Sequence, residues 1–389
     1  MISNTSNISF DNLTDKLFQQ ETEFQHTPDY MTVYLTIVNV LILCVGLFGN
    51  TMVIMVVCRV REMRNPTNYF LFTLSIADFC VLLVCQPVAV MEFYAKEIWY
   101  LGHFMCKLVP LLENGMLHVS ILTMIAMTTE RFYSIIYPFR NLSNCSETST
   151  VKIIFALWII AFICTSPFLL ITTLEDATFY DGTHVKVCRT IVRLLWHKVF
   201  IVANNIAFFV IPFFVLIYMY SRIIKRLMSD RLSIIMSNDI SARITLQARK
   251  QVVRTLILIM ILFFVSMCPL RVVTLWQIFT PVSELDNIGI EAYYNIMWFA
   301  RCMMYLNSAG NPVIYSLSST KFKMAFRRVL SQCRPCTLTT RPSPPTTKVL
   351  YRASKTKQGS SNDGHEYIHR ETNGTNYTRN GDLELRLLS

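Results

Sequence analysis

The chain has 389 residues, of which 53% are hydrophobic and 16% charged, and its mean hydropathy is +0.40. Soluble globular domains carry about 25% charged residues, so this composition excludes an ordinary water-soluble fold and points to a membrane. The net charge of +11 does not indicate a nucleic-acid partner: the basic residues cluster at the ends of apolar stretches, where the anionic lipid of an inner leaflet accounts for them.

The first 31 residues are polar and predict an extracellular tail. Asp11, Asp15, Glu21, Glu23 and Asp29 stand against Lys16 alone, and Asn4, Asn7 and Asn12 open sequons for glycosylation. No basic n-region with a short apolar core precedes them, so the first apolar segment is expected to serve as the insertion signal. That segment, Thr32 to Cys58, holds no charged residue. As a helix it spans roughly 40 Å, enough to cross a ~30 Å hydrocarbon core with tilt. Six more stretches follow, near Asn68–Phe93, His103–Ile136, Ile153–Leu174, Trp196–Tyr220, Thr255–Phe279 and Tyr293–Leu317. They are apolar on nearly all sides and lack the alternation of barrel strands, so the predicted fold is an all-α membrane protein, a seven-transmembrane helix bundle over residues 32–320.

Basic residues orient the bundle. Arg59, Arg61 and Arg64 follow segment one; Arg222, Lys225, Arg226, Arg231, Arg243, Arg249, Lys250 and Arg254 lie between five and six; Lys321, Lys323, Arg327 and Arg328 follow seven. These ends are expected in the cytoplasm, with the N-terminus outside and the chain multi-pass in the plasma membrane. The sequons at Asn141, Asn144, Asn373 and Asn376 then fall inside the cell.

Polar residues within the segments are candidates for function because the bilayer penalises them. Asp78 lies roughly 15 Å into segment two. With Ser120, Asn307 and Asn311 it offers an oxygen-lined pocket for a sodium ion; a protonated or water-bonded Asp is the other reading. Cys106 opens segment three, and Cys188 lies between segments four and five. These two alone among the cysteines are placed in oxidising space and are expected to pair. Seven residues below Cys106 comes Glu113. Arg271, two residues beyond Pro269, and Arg301 in segment seven share its depth, so the three form either a ligand-binding polar layer or an internal salt bridge that orders the helices. Asn114, Thr274 and Trp298 join them as ligand-facing candidates. Tyr94, Trp99, Trp276 and Tyr294 add contact area or belong to an interfacial belt.

Twenty-five residues separate Cys106 from Arg131, roughly 37 Å of helix, which puts Glu130-Arg131 at the opposite membrane face. The pair is either a lock that releases Arg131 in a second state or an ordinary snorkelling arginine. In segment seven, Asn307 to Tyr315 contains Asn311, Pro312 and Tyr315, polar and kinking groups that a plain anchor does not need. The segment runs directly into the basic amphipathic stretch Lys321 to Leu330. Residues 321–336 are therefore expected to lie on the membrane surface, with Cys333 and Cys336 either palmitoylated or free thiols. Residues 337–389 are rich in Ser, Thr, Pro, Gly and Asn and are expected to be a disordered cytoplasmic tail; Arg352-Ala353-Ser354 and many other hydroxyls suit phosphorylation.

Gly49-Asn50, Leu74 with Asp78, the spacing from Cys106 to Glu130-Arg131, Trp158, Pro212 with Tyr220, Phe263 with Pro269, and Asn311-Pro312-Val313-Ile314-Tyr315 occur in order over residues 32 to 336. Together they resemble a rhodopsin-like (class A) G-protein-coupled receptor. Pro269-Leu270-Arg271 and the run from Trp298-Phe299 through Arg301 to Tyr305-Leu306-Asn307-Ser308 resemble the neuropeptide branch, especially receptors for thyrotropin-releasing hormone, with ghrelin-type receptors as neighbours. The resemblance implies a secreted neuropeptide ligand contacting Arg271 and Arg301, and a heterotrimeric G protein as partner, with Gq-type coupling and calcium release. A receptor kinase and arrestin acting on the tail are the further partners expected. It also implies an activation switch through Glu130, Arg131, Tyr220, Phe263, Met267, Pro269, Asn311, Pro312 and Tyr315. Phe132 and Met267 depart from the family's usual Tyr and Trp, so the trigger is expected to pass through Phe263 and the Pro269 kink, with high basal activity as one consequence.

Other functions fit less well. A retinal photoreceptor needs a lysine in segment seven, and Tyr293 to Leu317 has none. A transporter would show paired halves, and no enzyme motif or resident cofactor is expected. A biogenic-amine or other small-molecule receptor of the same fold, anchored on Glu113, remains the alternative.

Overall fold

The computed structural model describes residues 28–137, 146–178, 182–237, 239–280 and 288–332. The chain divides into a unit of residues 1–335 and one of 336–389. The sequons at Asn4, Asn7 and Asn12, the cysteines Cys333 and Cys336, and the tail lie outside the described residues.

Helix α1 is Asp29–Arg59. Helix α2 starts at Pro66, where Asn65 caps the amide of Asn68 and the proline occupies a position that needs no donor. It continues as Pro66–Cys80, a wide turn Val81–Cys85, and Gln86–Tyr94. Helix α3 is Gly102–Ile136, running through Pro110. Helix α4 is Glu147–Thr165, capped by Ser146, with a further helical turn Phe168–Ile171. Strands β1 (Thr172–Thr178) and β2 (His184–Thr190) follow. Helix α5 comprises Leu195–Asn205, a second wide turn Ile206–Val210, and Ile211–Ser237. Helix α6 is Ile240–Phe279, capped by Asp239; α7 is Ile290–Ser318; α8 is Thr320–Gln332. The two wide turns end just before Pro87 and Pro212. A proline has no N–H to donate to the carbonyl four residues back and its ring clashes with that carbonyl, and one extra residue per turn relieves the clash.

Six helices, α1 to α6, are long and apolar enough to cross a membrane. The 29-residue α7 completes seven; its Tyr, Asn and Ser content makes it more polar than the rest. α3 packs against α2, α4 and α5; α7 packs against α1 and α6; α8 returns against α1 and α7. The buried core runs through the middle of this bundle and includes Leu74, Leu82, Ile121, Met127, Ile259, Tyr305 and Tyr315. The outward faces are equally apolar: Ile37 is 55% exposed, Phe155 69% and Phe214 63%. Such surfaces suit lipid, where no polar rim is needed.

The predicted segments correspond to these helices with shifted ends. α6 begins fifteen residues before the predicted Thr255, and α5 continues past Tyr220 to Ser237, because helical hydrogen bonding persists after the apolar stretch leaves the membrane. Segment four ends earlier than predicted. Thr172 to Leu174, apolar enough to be read as helix, instead begin β1, as β-branched threonines favour.

The approach of α1 to α7 depends on glycine. A Cβ on Gly49 would lie 2.7 Å from the Pro312 Cβ, so the proline inside α7 sits directly against a residue with no side chain. Beside it, the Asn50 amide donates to the Gly46 carbonyl at 2.9 Å and the Ser308 carbonyl at 3.0 Å, which ties the two helices through the lipid-embedded layer.

Candidate functional site

At the end of the bundle that carries the hairpin, β1 and β2 pair antiparallel with Leu174 opposite Cys188. Cys188 is bonded to Cys106 at the start of α3, S–S 2.01 Å and Cα–Cα 5.6 Å. The link fixes β2 across the mouth of the bundle. The turn after α2 adds a second tie: the Trp99 amide donates to the Lys186 carbonyl at 2.7 Å, and the Trp99 indole to the Gly102 carbonyl at 2.8 Å. Trp99 is thus a buried structural pin and not ligand-contact area. Lys96 and Glu97 both have positive φ, 52° and 67°, a strained conformation for residues with side chains. In that conformation the Glu97 carboxylate accepts from Arg189 of β2 at 3.0 Å and from the Tyr294 hydroxyl of α7 at 2.9 Å.

Beneath this cover lie the charges. Arg301 pairs with Glu92 at 2.9 Å, both half-buried, and its guanidinium lies 5.5 Å from the centre of the Trp298 ring, which in turn meets Phe93 edge-on at 5.0 Å. Glu113 accepts from the Tyr305 hydroxyl at 2.9 Å. Arg271 is 8% exposed, its Nε has no hydrogen-bond partner, and among the described residues it makes no ion pair. Of the two readings of this layer, the salt bridge from Glu113 to an arginine does not form among the described residues: Arg301 is paired with Glu92 and Glu113 is held by a phenol. Glu92 and Tyr305 were the residues that sequence reasoning missed. The signal for Glu92 was present, since 14 residues of helix carry it roughly 21 Å from Asp78, to the depth of Arg301.

Asn114 and Thr274 bond back to their own helices, to the Pro110 carbonyl at 3.0 Å and the Leu270 carbonyl at 2.8 Å. Trp276 and Tyr293 lie tilted, 6.3 Å apart, and the Tyr94 hydroxyl meets that of Thr36 in a short contact.

Deeper, the Asn311 amide donates to Asp78 at 2.8 Å. Asn307 accepts instead from Ser266 of α6 at 3.4 Å, and Ser120 is buried without a hydrogen bond to Asp78. The predicted set of four oxygens thus gathers only in part. Ser75 Oγ, Thr123 Oγ1, Asn50 Oδ1 and Asn311 Oδ1 are buried oxygens with no hydrogen-bond partner among the described residues. Met267 and Phe263 are buried beside this layer, with Phe263 edge-on to Phe264 at 5.3 Å. α6 stays helical through Pro269 and α7 through Pro312.

Toward the end that carries α8, Arg131 Nε lies 3.1 Å from Glu130, close enough for an ion pair although the N–H is not aimed at the oxygen. The Thr67 hydroxyl donates to Glu130 at 3.0 Å and receives a short contact from Arg131 Nη2. Arg131 is held by its own helix and by α2. Tyr220 shares a 2.8 Å hydrogen bond with Thr128, and the Tyr315 ring packs 5.6 Å from Phe322 of α8 with its hydroxyl unpartnered.

Seven helices, a hairpin linked by a disulfide to the third, a polar layer below it, and a Glu-Arg pair at the far end define a multi-pass membrane receptor. The family described as 7 transmembrane receptor (rhodopsin family) matches residues 49–315, and the chain belongs to this rhodopsin-like, class A family of G-protein-coupled receptors. It is a family of receptors and not of enzymes. The chain is 28% identical over 327 residues to neuromedin-U receptor 2 of Mus musculus, covering 82% of each chain. It is 28% identical over 325 residues to growth hormone secretagogue receptor type 1 of Homo sapiens, covering 82% of this chain and 85% of that one. To a QRFP-like peptide receptor of Branchiostoma floridae it is 28% identical over 314 residues, covering 79% and 80%.

Proposed function

We propose that this receptor binds a secreted neuropeptide between the hairpin and the Glu92, Glu113, Arg271 and Arg301 layer, and activates a heterotrimeric G protein at the end that carries α8. The observation that carries the reading is the buried Arg271, which makes no ion pair among the described residues, in a layer where Arg301 is paired with Glu92 and Glu113 is held by a phenol. A biogenic amine needs an acid and an aromatic cage; a buried arginine without an ion-pair partner repels its ammonium and favours carbonyl or carboxylate groups, which peptides supply in plenty. The relative named as a peptide receptor supports the same class.

In this reading the N-terminus lies outside the cell, the tail lies inside, and the plasma membrane is the site of action. Ligand groups that take Arg301 displace Glu92, and binding favours a state in which Arg131 leaves Glu130 and α6 swings out. Coupling is of the Gq type with calcium release. A sodium ion among Asp78, Asn311, Ser75 and Thr123 favours the resting state. Glycans on Asn4, Asn7 and Asn12, palmitate on Cys333 and Cys336, and a receptor kinase with arrestin on residues 337–389 complete the proposal.

The test is a calcium screen of cells expressing the full chain against a neuropeptide library, with biogenic amines in the same plate. A peptide response that is lost in Arg271→Ala at equal surface expression supports the reading. An amine response that survives Arg271→Ala and fails in Glu113→Gln would replace it with the amine receptor.

A further inference from the structure

Arg131 has no partner on α6, and the sequence explains why. From Ile240 to Phe279 this helix contains no Asp or Glu, while Arg243, Arg249, Lys250 and Arg254 crowd its first four turns. No ion pair can tie the start of α6 to Arg131. α8 is basic as well, with Lys321, Lys323, Arg327 and Arg328, of which Arg328 pairs with Glu62, and repulsion between two positively charged elements favours separation of the two ends.

A neutral set of hydrogen bonds opposes that repulsion. The Gln251 amide of α6 donates to the Ser318 carbonyl at 2.9 Å and to the Thr320 hydroxyl at 3.3 Å. One turn on, the Thr255 hydroxyl shares a 2.9 Å hydrogen bond with the Ser318 hydroxyl. Ser318 ends α7 and Thr320 begins α8, so both side chains of α6 close on the same corner. Thr255 is 6% exposed, which shields its bond from water. Ser318 is fixed in turn by donation to the Ile314 carbonyl at 2.6 Å, one residue before Tyr315.

We infer that Gln251 and Thr255 are positioning residues that hold α6 closed against the α7–α8 corner, and that an activating ligand must break this clasp before α6 can move, no bond tying α6 to Arg131. The inference rests on the proposed function for its biological meaning, but the clasp itself is a matter of helix position. Each bond contributes the modest net amount of a protein hydrogen bond, so loss of one shifts the closed-to-open ratio roughly two- to tenfold. The corner also joins the clasp to the Tyr315 layer, and movement of α7 at Pro312 is transmitted to Ser318 directly.

The experiment reads helix position and signalling separately. Spin labels at Arg61→Cys and Gln247→Cys, in the full-length chain with its free cysteines replaced, report the distance between the first loop and α6 in lipid nanodiscs. Thr255→Val keeps the shape and removes the hydroxyl; Gln251→Met keeps the length and removes the amide. Each is expected to enlarge the long-distance population two- to tenfold without ligand, and to raise basal nucleotide exchange on G protein by a similar factor. Thr255→Ser keeps the hydroxyl and should retain the parent distance, which separates the hydrogen bond from packing. An unchanged distance in the combined Gln251→Met and Thr255→Val chain, with surface expression equal to the parent, overturns the clasp. A shifted distance with no nucleotide exchange on any G protein supports the clasp and counts against the proposed coupling.

Discussion

At the scale of single residues, Glu92 changes what Arg301 can do. An arginine already neutralised at 2.9 Å yields to a ligand only if the ligand replaces that carboxylate. Arg301→Ala should therefore lower peptide potency by at least about tenfold, the loss expected of a charged hydrogen bond, with surface expression retained. Glu92→Gln should move potency the other way, because a neutral amide competes less for the guanidinium; a fall in potency would make Glu92 a direct ligand contact. Asp78→Asn should abolish any dependence of ligand affinity on sodium, read by radioligand binding in sodium against N-methylglucamine. Of these groups, the sequence made Asp78, Glu113, Arg271 and Arg301 legible because an ionisable side chain in an apolar stretch demands explanation. Tyr305 was not legible, and Glu92 was legible in depth but not in direction: their role depends on which way two helices face, and a hydropathy profile does not carry rotation. The oxygens of Ser75 and Thr123 were hidden for the same reason, since hydroxyls are tolerated anywhere in a helix by bonding their own backbone.

At the scale of elements, the seven helices could be read from length and apolarity alone, whereas β1 and β2 could not. Their residues were split between an apolar end and a polar loop, and only pairing across the hairpin makes them strands. The disulfide expected from topology is what gives that hairpin its place. Cys188→Ser should free β2 from α3 and abolish ligand binding or delivery to the surface; normal binding at normal expression would remove the hairpin from the site. The extension of α5 and α6 beyond the apolar stretches was equally invisible to a reading based on hydropathy. The α1–α7 approach makes a further demand. Gly49→Val places branched carbons where one Cβ already lies 2.7 Å from Pro312, and overpacking of this kind costs about 1–3 kcal/mol. The purified receptor should lose several degrees of melting temperature in detergent, and an unaltered melting curve would show that α7 moves aside freely.

At the scale of the whole molecule, the structure divides labour along its axis: charged pairs under the hairpin, buried oxygens in the middle, and hydroxyl and amide contacts at the α8 end. The layers are joined by α2, which carries Glu92, Asp78 and Thr67 in turn, and by α3, α6 and α7, so a signal between the ends has these helices to pass through. The tie between α1 and α7 carries a different consequence, for biogenesis. Asn50 finds the Ser308 carbonyl 258 residues later in the chain, and Tyr34 finds Asn295 261 residues later, at 3.1 Å. At about 5–20 residues per second of synthesis, the first helix waits roughly 13 to 50 s in the bilayer for the seventh to be made. During that interval the Asn50 amide keeps its bond to Gly46, while its second N–H and the Tyr34 hydroxyl must be satisfied by water, lipid headgroups or a chaperone of the insertion machinery. A ribosome that stops before α7 leaves them exposed, and such a truncated chain carries its own signal for removal.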